Sequence, residues 1–331
     1  MVMKRTLSIL ISFILITVML AGCSLFPSFS LGDSARVNFY VGDKLYETVN
    51  VKRGETVDMP EPPEKENQVF VGWYTDGLFS TEFDFSDEVY LDINLYAKYV
   101  IDAISATNMV NDRAMLSVVT VHNRSFNLAL GGLIETDYAT VQGSGVVLDI
   151  SGGFCYVLTN CHVAQLIEGF TNNTLTVEDP WGNEYEASIY KNSKKTDYAI
   201  SEDFDLALLC FRYDPQDEHR LAEIGVSSDP NAGDYVISIG TPKGKKNTVA
   251  FGSVMGYGTV NVENNGSFDK MDFEVIIHNA SIEHGSSGGP LLNLNGELVG
   301  LNFAGYEIGK QGCAIPMTKI NEFLDLYVYA K

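Results

Sequence analysis

Short runs with apolar residues on every second position recur through most of this chain, broken by Gly, Asp, Asn and Pro, and they predict strands joined by turns. In the first hundred residues, Val37-Asn-Phe-Tyr-Val41 and Lys44-Leu-Tyr-Glu-Thr-Val49 alternate on either side of Gly42-Asp43, the composition of a hairpin. Val69-Phe-Val-Gly-Trp-Tyr74 and Asn94-Leu-Tyr-Ala-Lys-Tyr99 add two strands beyond a Pro60-Glu-Pro-Pro63 connector. A module of about 65 residues buries little surface, so Phe70, Trp73, Tyr74, Phe83 and Tyr96 are expected in its core.

Residues 101–331 form a second, longer module. Its opening, 101–116, is helix-compatible, with Ile101, Ile104, Met109 and Ala114 giving an imperfect stripe. Short β-rich runs follow at 117–121, 145–148, 154–158, 206–211, 235–239, 249–254, 273–277 and 298–303, and this regular spacing predicts an all-β barrel or sandwich. From Met317 to Tyr329 the period becomes helical, with Ile320, Phe323, Leu324 and Tyr327 on one face of a closing helix.

The N-terminus departs from both patterns. Lys4-Arg5 precedes an apolar run from Leu7 to Leu20 and then Ala21-Gly22-Cys23, which describes an export signal too short for a comfortable membrane span. Residues 23–35 read as a tether and 36–100 as the first module. With 22 Lys+Arg against 43 Asp+Glu, the net charge of −21 argues against nucleic-acid binding. The local exception, Lys243-Gly-Lys245-Lys246, reads as a solvated loop. Cys155, Cys161, Cys210 and Cys313 read as small buried hydrophobes, with disulfides left open. His122, His219 and His278 show no ligand spacing and no calcium-type loop occurs, so no metal and no cofactor is expected.

One constellation carries chemistry. His162 stands in Tyr156-Val-Leu-Thr-Asn-Cys-His-Val163, Asp205 opens Asp205-Leu-Ala-Leu-Leu209, and Ser287 sits in Gly285-Ser-Ser-Gly-Gly-Pro290. A serine hydroxyl needs a base to take its proton, and an imidazole with an ordinary pKa near 6.5 can accept that proton and return it. Asp205, preferred over Asp203 because the apolar run begins there, would fix the imidazole tautomer. The turn is expected to aim the backbone N–H groups of Gly285 and Ser287 at one point as an oxyanion hole. No Gly-x-Ser-x-Gly elbow on an α/β pattern is present, which counts against an esterase of that type.

Three resemblances rest on these residues. Leu20-Ala-Gly-Cys23 resembles a bacterial lipobox and implies lipidation at Cys23, hence a protein held in the cell envelope outside the cytoplasm by a lipid anchor. Gly72-Trp-Tyr74 with Leu95-Tyr-Ala-Lys-Tyr99 resembles the internalin-type B-repeat, a small β-grasp-like module. Over about residues 114–324, Gly143-Ser-Gly-Val-Val147, Val157-Leu-Thr-Asn-Cys-His-Val163, Gly240-Thr-Pro-Lys-Gly244, Ile282 to Gly300 and Ala314-Ile-Pro316 resemble trypsin-like peptidases of the HtrA/Deg type. This resemblance implies a chymotrypsin-like double β-barrel of two six-stranded barrels, the triad at their interface, and hydrolysis of peptide bonds in polypeptide substrates. It implies a primary pocket with Ser281 at its base and Asn302, Phe303 and Ala304 in its walls, without a carboxylate and so suited to a small or medium apolar side chain. Glu283 and His284 are expected at its rim. Ser286 occupies the place of the aspartate that pairs with a new N-terminus in digestive relatives, so activity without zymogen cleavage is expected. The chain ends at Lys331, and no PDZ domain is expected to follow. The rival expectation is an inactive homologue of this fold serving as a surface binding protein.

Overall fold

The computed structural model describes residues 32–214, 220–241, 248–264, 267–282, 285–306 and 311–329. The export segment, Cys23, the Lys243–Lys246 cluster, His219, Glu283 and His284 lie outside the described residues. The chain divides into two compact units, one ending at Val100 and a larger one from Ile101 to Lys331 that also takes in Lys65–Asn67.

The first unit is a four-stranded sheet of β1 (Ser34–Val41), β2 (Lys44–Lys52), β3 (Gln68–Tyr74) and β4 (Ile93–Ile101) in the order β2-β1-β4-β3. β1 and β2 form the expected hairpin, and β1 pairs in parallel with β4, giving the central parallel pair of a β-grasp-like sheet. Trp73 is fully buried and meets Phe39 edge-on at 4.8 Å, so Phe39 belongs with the aromatic core. Phe70 and Phe83 pack partly buried against this cluster. Tyr96 instead stacks on Tyr40 at 5.4 Å on the half-exposed face, as its place one residue after the buried Leu95 requires.

The larger unit is a double barrel. Strands β5 (Val118–Ala129), β6 (Ile134–Ser151), β7 (Phe154–Thr159), β8 (Asn172–Glu178), β9 (Glu184–Ile189) and β11 (Leu206–Arg212) close on themselves through the β11–β9 pairing, with β10 (Ile200–Ser201) appended to β11. The second barrel runs β12 (Tyr235–Gly240), β13 (Thr248–Gly258), β16 (Val275–His278), β19 (Gln311–Pro316), β18 (Leu298–Tyr306) and β17 (Pro290–Leu292), while β14 (Asn261–Asn264) and β15 (Ser267–Lys270) pair as a separate hairpin. Six strands each is what the resemblance implied.

Three short helices complete this unit among the described residues. α1 (Ala103–Asp112) is capped by the Asp102 carboxylate, which accepts from the N–H groups of Ile104 and Ser105. It buries Ala106, Met109 and Val110, whereas Ile104, expected on the inner stripe, is 76 % exposed. A 3₁₀ turn, Ala114–Ser117, links it to β5. α2 is the single turn Cys161–Ala164, and α3 (Met317–Tyr327) packs Ile320, Phe323 and Leu324 into the core as the sequence period requires. The four described cysteines are free, Cys155, Cys161 and Cys313 buried and Cys210 half-buried. Burial pushes the Cys155 and Cys161 thiols up to about 12 and Cys313 to about 11, so all three stay protonated and inert at neutral pH.

Candidate active site

β7 ends at Thr159, and Asn160 opens the single turn of α2, which places His162 as its second residue. That turn has no side-chain cap of its own. A carboxylate from elsewhere fills the place: Asp205 Oδ1 accepts from the His162 backbone N–H at 3.0 Å. The same carboxylate lies 2.9 Å (Oδ2) and 3.0 Å (Oδ1) from His162 Nδ1, which fixes the ring with its Nδ1 proton toward Asp205. Asp205 is buried and immediately precedes β11, while Asp203 is exposed.

Asp205 adopts φ +49°, the left-handed region that costs a side-chain-bearing residue about 1–2 kcal/mol and that Asp tolerates better than most. Its N–H donates to Glu202 C=O at 3.0 Å, and its carbonyl accepts from Asn160 Nδ2 at 2.9 Å. Strain at Asp205 is thus held by the residue that opens the helical turn of His162.

Burial alone would pull the His162 pKa down. The charge of Asp205 and the hydrogen bond to it outweigh that loss, and the imidazole ends above its ordinary value.

Ser287 lies on the turn before β17 and is brought against the His162 segment by close backbone approaches. A side chain at Gly143 would meet Val163 Cγ2 at 2.6 Å and the Ser287 carbonyl at 3.0 Å, so the neighbours of His162 and Ser287 converge over one glycine. Gly288, at φ +81°, presses so close to the Ser144 carbonyl and Thr159 Oγ1 that any Cβ would collide with both. Ser144 clasps the turn: its N–H donates to Ser287 C=O at 2.7 Å, its Oγ donates to Gly285 C=O at 2.8 Å and accepts from Thr241 N–H at 3.0 Å. Thr159 Oγ1 in turn donates to Ser144 C=O at 2.7 Å. Residues of both barrels therefore meet at Ser144.

The Ser287 hydroxyl donates to Phe303 C=O at 3.2 Å, and no hydrogen bond joins it to His162 in this conformation. The backbone N–H groups of Gly285 and Ser287 donate to no described residue, whereas those of Gly288 and Gly289 are taken by Asn302 C=O and Ser286 C=O.

The four expected pocket residues differ in exposure. Ser281 is exposed, Phe303 is 3 % exposed and part of the hydrophobic core, and Asn302 is fully buried with its amide bonded to protein groups. Ala304 continues β18. Asn302 and Phe303 thus both bond to the turn that carries Ser287. A cavity of about 610 Å³ is lined by Leu148, Tyr156, Tyr190, Leu208 and Leu324 and contains none of these residues.

Two regions of the chain are similar to known protein families. Residues 143–301 match the trypsin-like peptidase domain, and residues 36–98 match the Listeria-Bacteroides repeat domain. The serine protease Do-like HtrA of Bacillus subtilis is 32 % identical over 211 residues, covering 61 % of this chain and 43 % of the relative. The serine protease HTRA4 of Mus musculus is 32 % identical over 199 residues, covering 59 % of this chain and 36 % of the relative. The chain spans less than half the length of these curated relatives. In fold, the crystal structure of the Rv3671c protease from M. tuberculosis, active form, is similar with a TM-score of 0.50 at 22 % identity, over 70 % of this chain and 88 % of that one. The chain carries a trypsin-like peptidase domain behind a Listeria-Bacteroides repeat domain, and its homologues are HtrA/Do-like serine proteases.

Proposed function

We propose that this chain, with its trypsin-like peptidase domain, is an exported, lipid-anchored serine endopeptidase whose reacting groups are Ser287, His162 and Asp205. The observation that carries the reading is the His162 Nδ1–Asp205 pair at 2.9 Å, set beside a turn whose Gly285 and Ser287 N–H groups have no described partner. Ser287 Oγ leaves the Phe303 carbonyl by rotation about its Cα–Cβ bond and attacks the scissile carbonyl while His162 Nε2 takes its proton. The negative oxygen of the tetrahedral intermediate is held by the Gly285 and Ser287 N–H groups, each contributing about 3–4 kcal/mol. His162 then gives the proton to the leaving amine, and a water, deprotonated by the same imidazole, hydrolyses the acyl-enzyme.

No carboxylate stands among Ser281, Asn302, Phe303 and Ala304, the residues that the resemblance assigns to the primary pocket, so the preferred residue before the scissile bond is small or medium and apolar. A fluorophosphonate probe is expected to label the wild type at Ser287 and to leave Ser287→Ala unlabelled. Absence of labelling in both returns the chain to the rival reading, a binding protein on a peptidase scaffold.

The anchor is tested separately. Cys23→Ala is expected to abolish incorporation of labelled palmitate in a bacterial host and to shift the protein from the membrane fraction to the soluble one. Continued incorporation would place the lipid elsewhere.

A further inference from the structure

His278 is fully buried in β16, and nothing in the chemistry above uses it. Its ring lies against Gly312, its register partner on β19, where any Cβ would collide with the imidazole. The ring's Nε2 is 3.1 Å from Asn302 Oδ1, while Nδ1 has no hydrogen-bond partner. Burial pushes the imidazole down to about 4 against the pull of the Asn302 bond and of the nearby Ala280 backbone, so it is neutral at pH 7. As a filler of core volume, such a ring is poor, because an apolar side chain would pack there without orphaning a nitrogen. What the imidazole adds is one N–H donor, and its direction is fixed.

The direction follows from Asn302. Its Nδ2 faces three oxygens, Ser238 Oγ at 3.1 Å, Gly289 C=O at 3.1 Å and Pro290 C=O at 3.0 Å, and shares two hydrogens among them. Two of these are carbonyls, so the amide nitrogen must point that way and the amide oxygen must face His278. An oxygen only accepts, so His278 is the Nε2–H tautomer. The Asn302 main chain closes the unit: its N–H donates to Gly289 C=O at 2.9 Å, and its C=O accepts from Gly288 N–H at 2.8 Å. Immediately beyond it the β18–β19 register shifts between Asn302 and Ala304, where Phe303 C=O holds the Ser287 hydroxyl.

We propose that His278 and Asn302 are a positioning pair for the nucleophile: the neutral imidazole orients the Asn302 amide, and Asn302 holds the Gly288-Gly289-Pro290 backbone that sets where Ser287 and its N–H lie. The catalytic part of this proposal rests on the serine-peptidase reading; the structural part does not. Neither residue touches substrate.

The test uses His278→Phe, which keeps an aromatic ring without the donor, and His278→Gln, which restores an N–H at similar reach. With an internally quenched peptide, His278→Phe is expected to lower kcat about 10- to 100-fold, the scale set by displacing a reacting group by about 1 Å, with KM changed less than about twofold. His278→Gln should recover most of that loss. Amide hydrogen exchange at Gly288 should accelerate at least about tenfold in His278→Phe, while the strands of the first barrel keep wild-type protection. Nitrogen-15 NMR of the wild type should show His278 neutral and protonated on Nε2. An Nδ1–H tautomer overturns the proposal without any variant having to fold, as does equal activity and equal Gly288 exchange in wild type and His278→Phe. If the wild type neither cleaves peptide nor reacts with fluorophosphonate, the enzymatic reading fails, and the tautomer and the Gly288 exchange still decide whether the pair positions the turn.

Discussion

Ser287→Ala is expected to lower kcat on a peptide substrate by about 10⁶-fold, and His162→Ala to lower it by nearly as much. Without the Oγ there is no atom to form the acyl-enzyme, and without the imidazole the hydroxyl keeps its proton. The Gly285 and Ser287 N–H groups survive both changes, so a residual acceleration of about 10³–10⁴ over water should remain. The double variant should be no worse than either single one, because each already removes the covalent route. Single-turnover kinetics on the full chain would read this, with melting temperatures to confirm folding. Two modest losses that multiply in the double variant would show that the residues do not act as one unit, and the proposed mechanism would have to be given up.

The residues proposed to react were legible because such chemistry forces local signatures. A nucleophile between close-packed backbones needs glycine around it, and Gly285, Gly288 and Gly289 are visible in the sequence for that reason. Four strands of the second barrel, β12, β13, β16 and β18, announced themselves through apolar runs. β8 and β9 did not, since Asn172-Asn-Thr-Leu-Thr-Val-Glu178 and Glu184-Tyr-Glu-Ala-Ser-Ile189 expose one polar face and bury few large residues.

The support of the site was not legible. Ser144, Thr159, Thr241, His278 and Asn302 are buried polar residues whose partners lie far away in sequence, and no local pattern separates them from surface serines, threonines and asparagines. Asn302 shows the consequence: the resemblance implied a pocket wall there, and no local pattern announced that its amide also holds the Gly289 and Pro290 carbonyls. A weak signal existed in Gly143 and Gly312, small residues in otherwise apolar strands, each of which marks a place where another group comes close.

Asp205→Asn is expected to reduce kcat near pH 7 by about 10⁴-fold while leaving the fold intact. The geometry gives the reason. Asp205 accepts both the His162 main-chain N–H and the ring Nδ1–H, so two donors converge on one carboxylate. An amide has a single oxygen, and the main-chain N–H, which can only donate, claims it. The amide NH₂ then faces Nδ1, which must become the acceptor, and the ring proton moves to Nε2, the atom that has to receive the proton of Ser287. The pH profile supplies an independent sign. In the wild type the carboxylate raises His162 above its ordinary 6.5, and because the base must be neutral, kcat/KM should fall as pH drops through a value higher than 6.5. In Asp205→Asn only burial remains, which favours the neutral ring, so the acid limb should move to lower pH even as the plateau collapses. The same linkage acts on stability: a raised pKa in the folded state contributes below pH 6.5 and is lost as pH rises through the folded value, so denaturation curves of the variant should lose that acid-side contribution. An acid limb that stays in place, or moves upward, would mean that Asp205 does not set the protonation of His162.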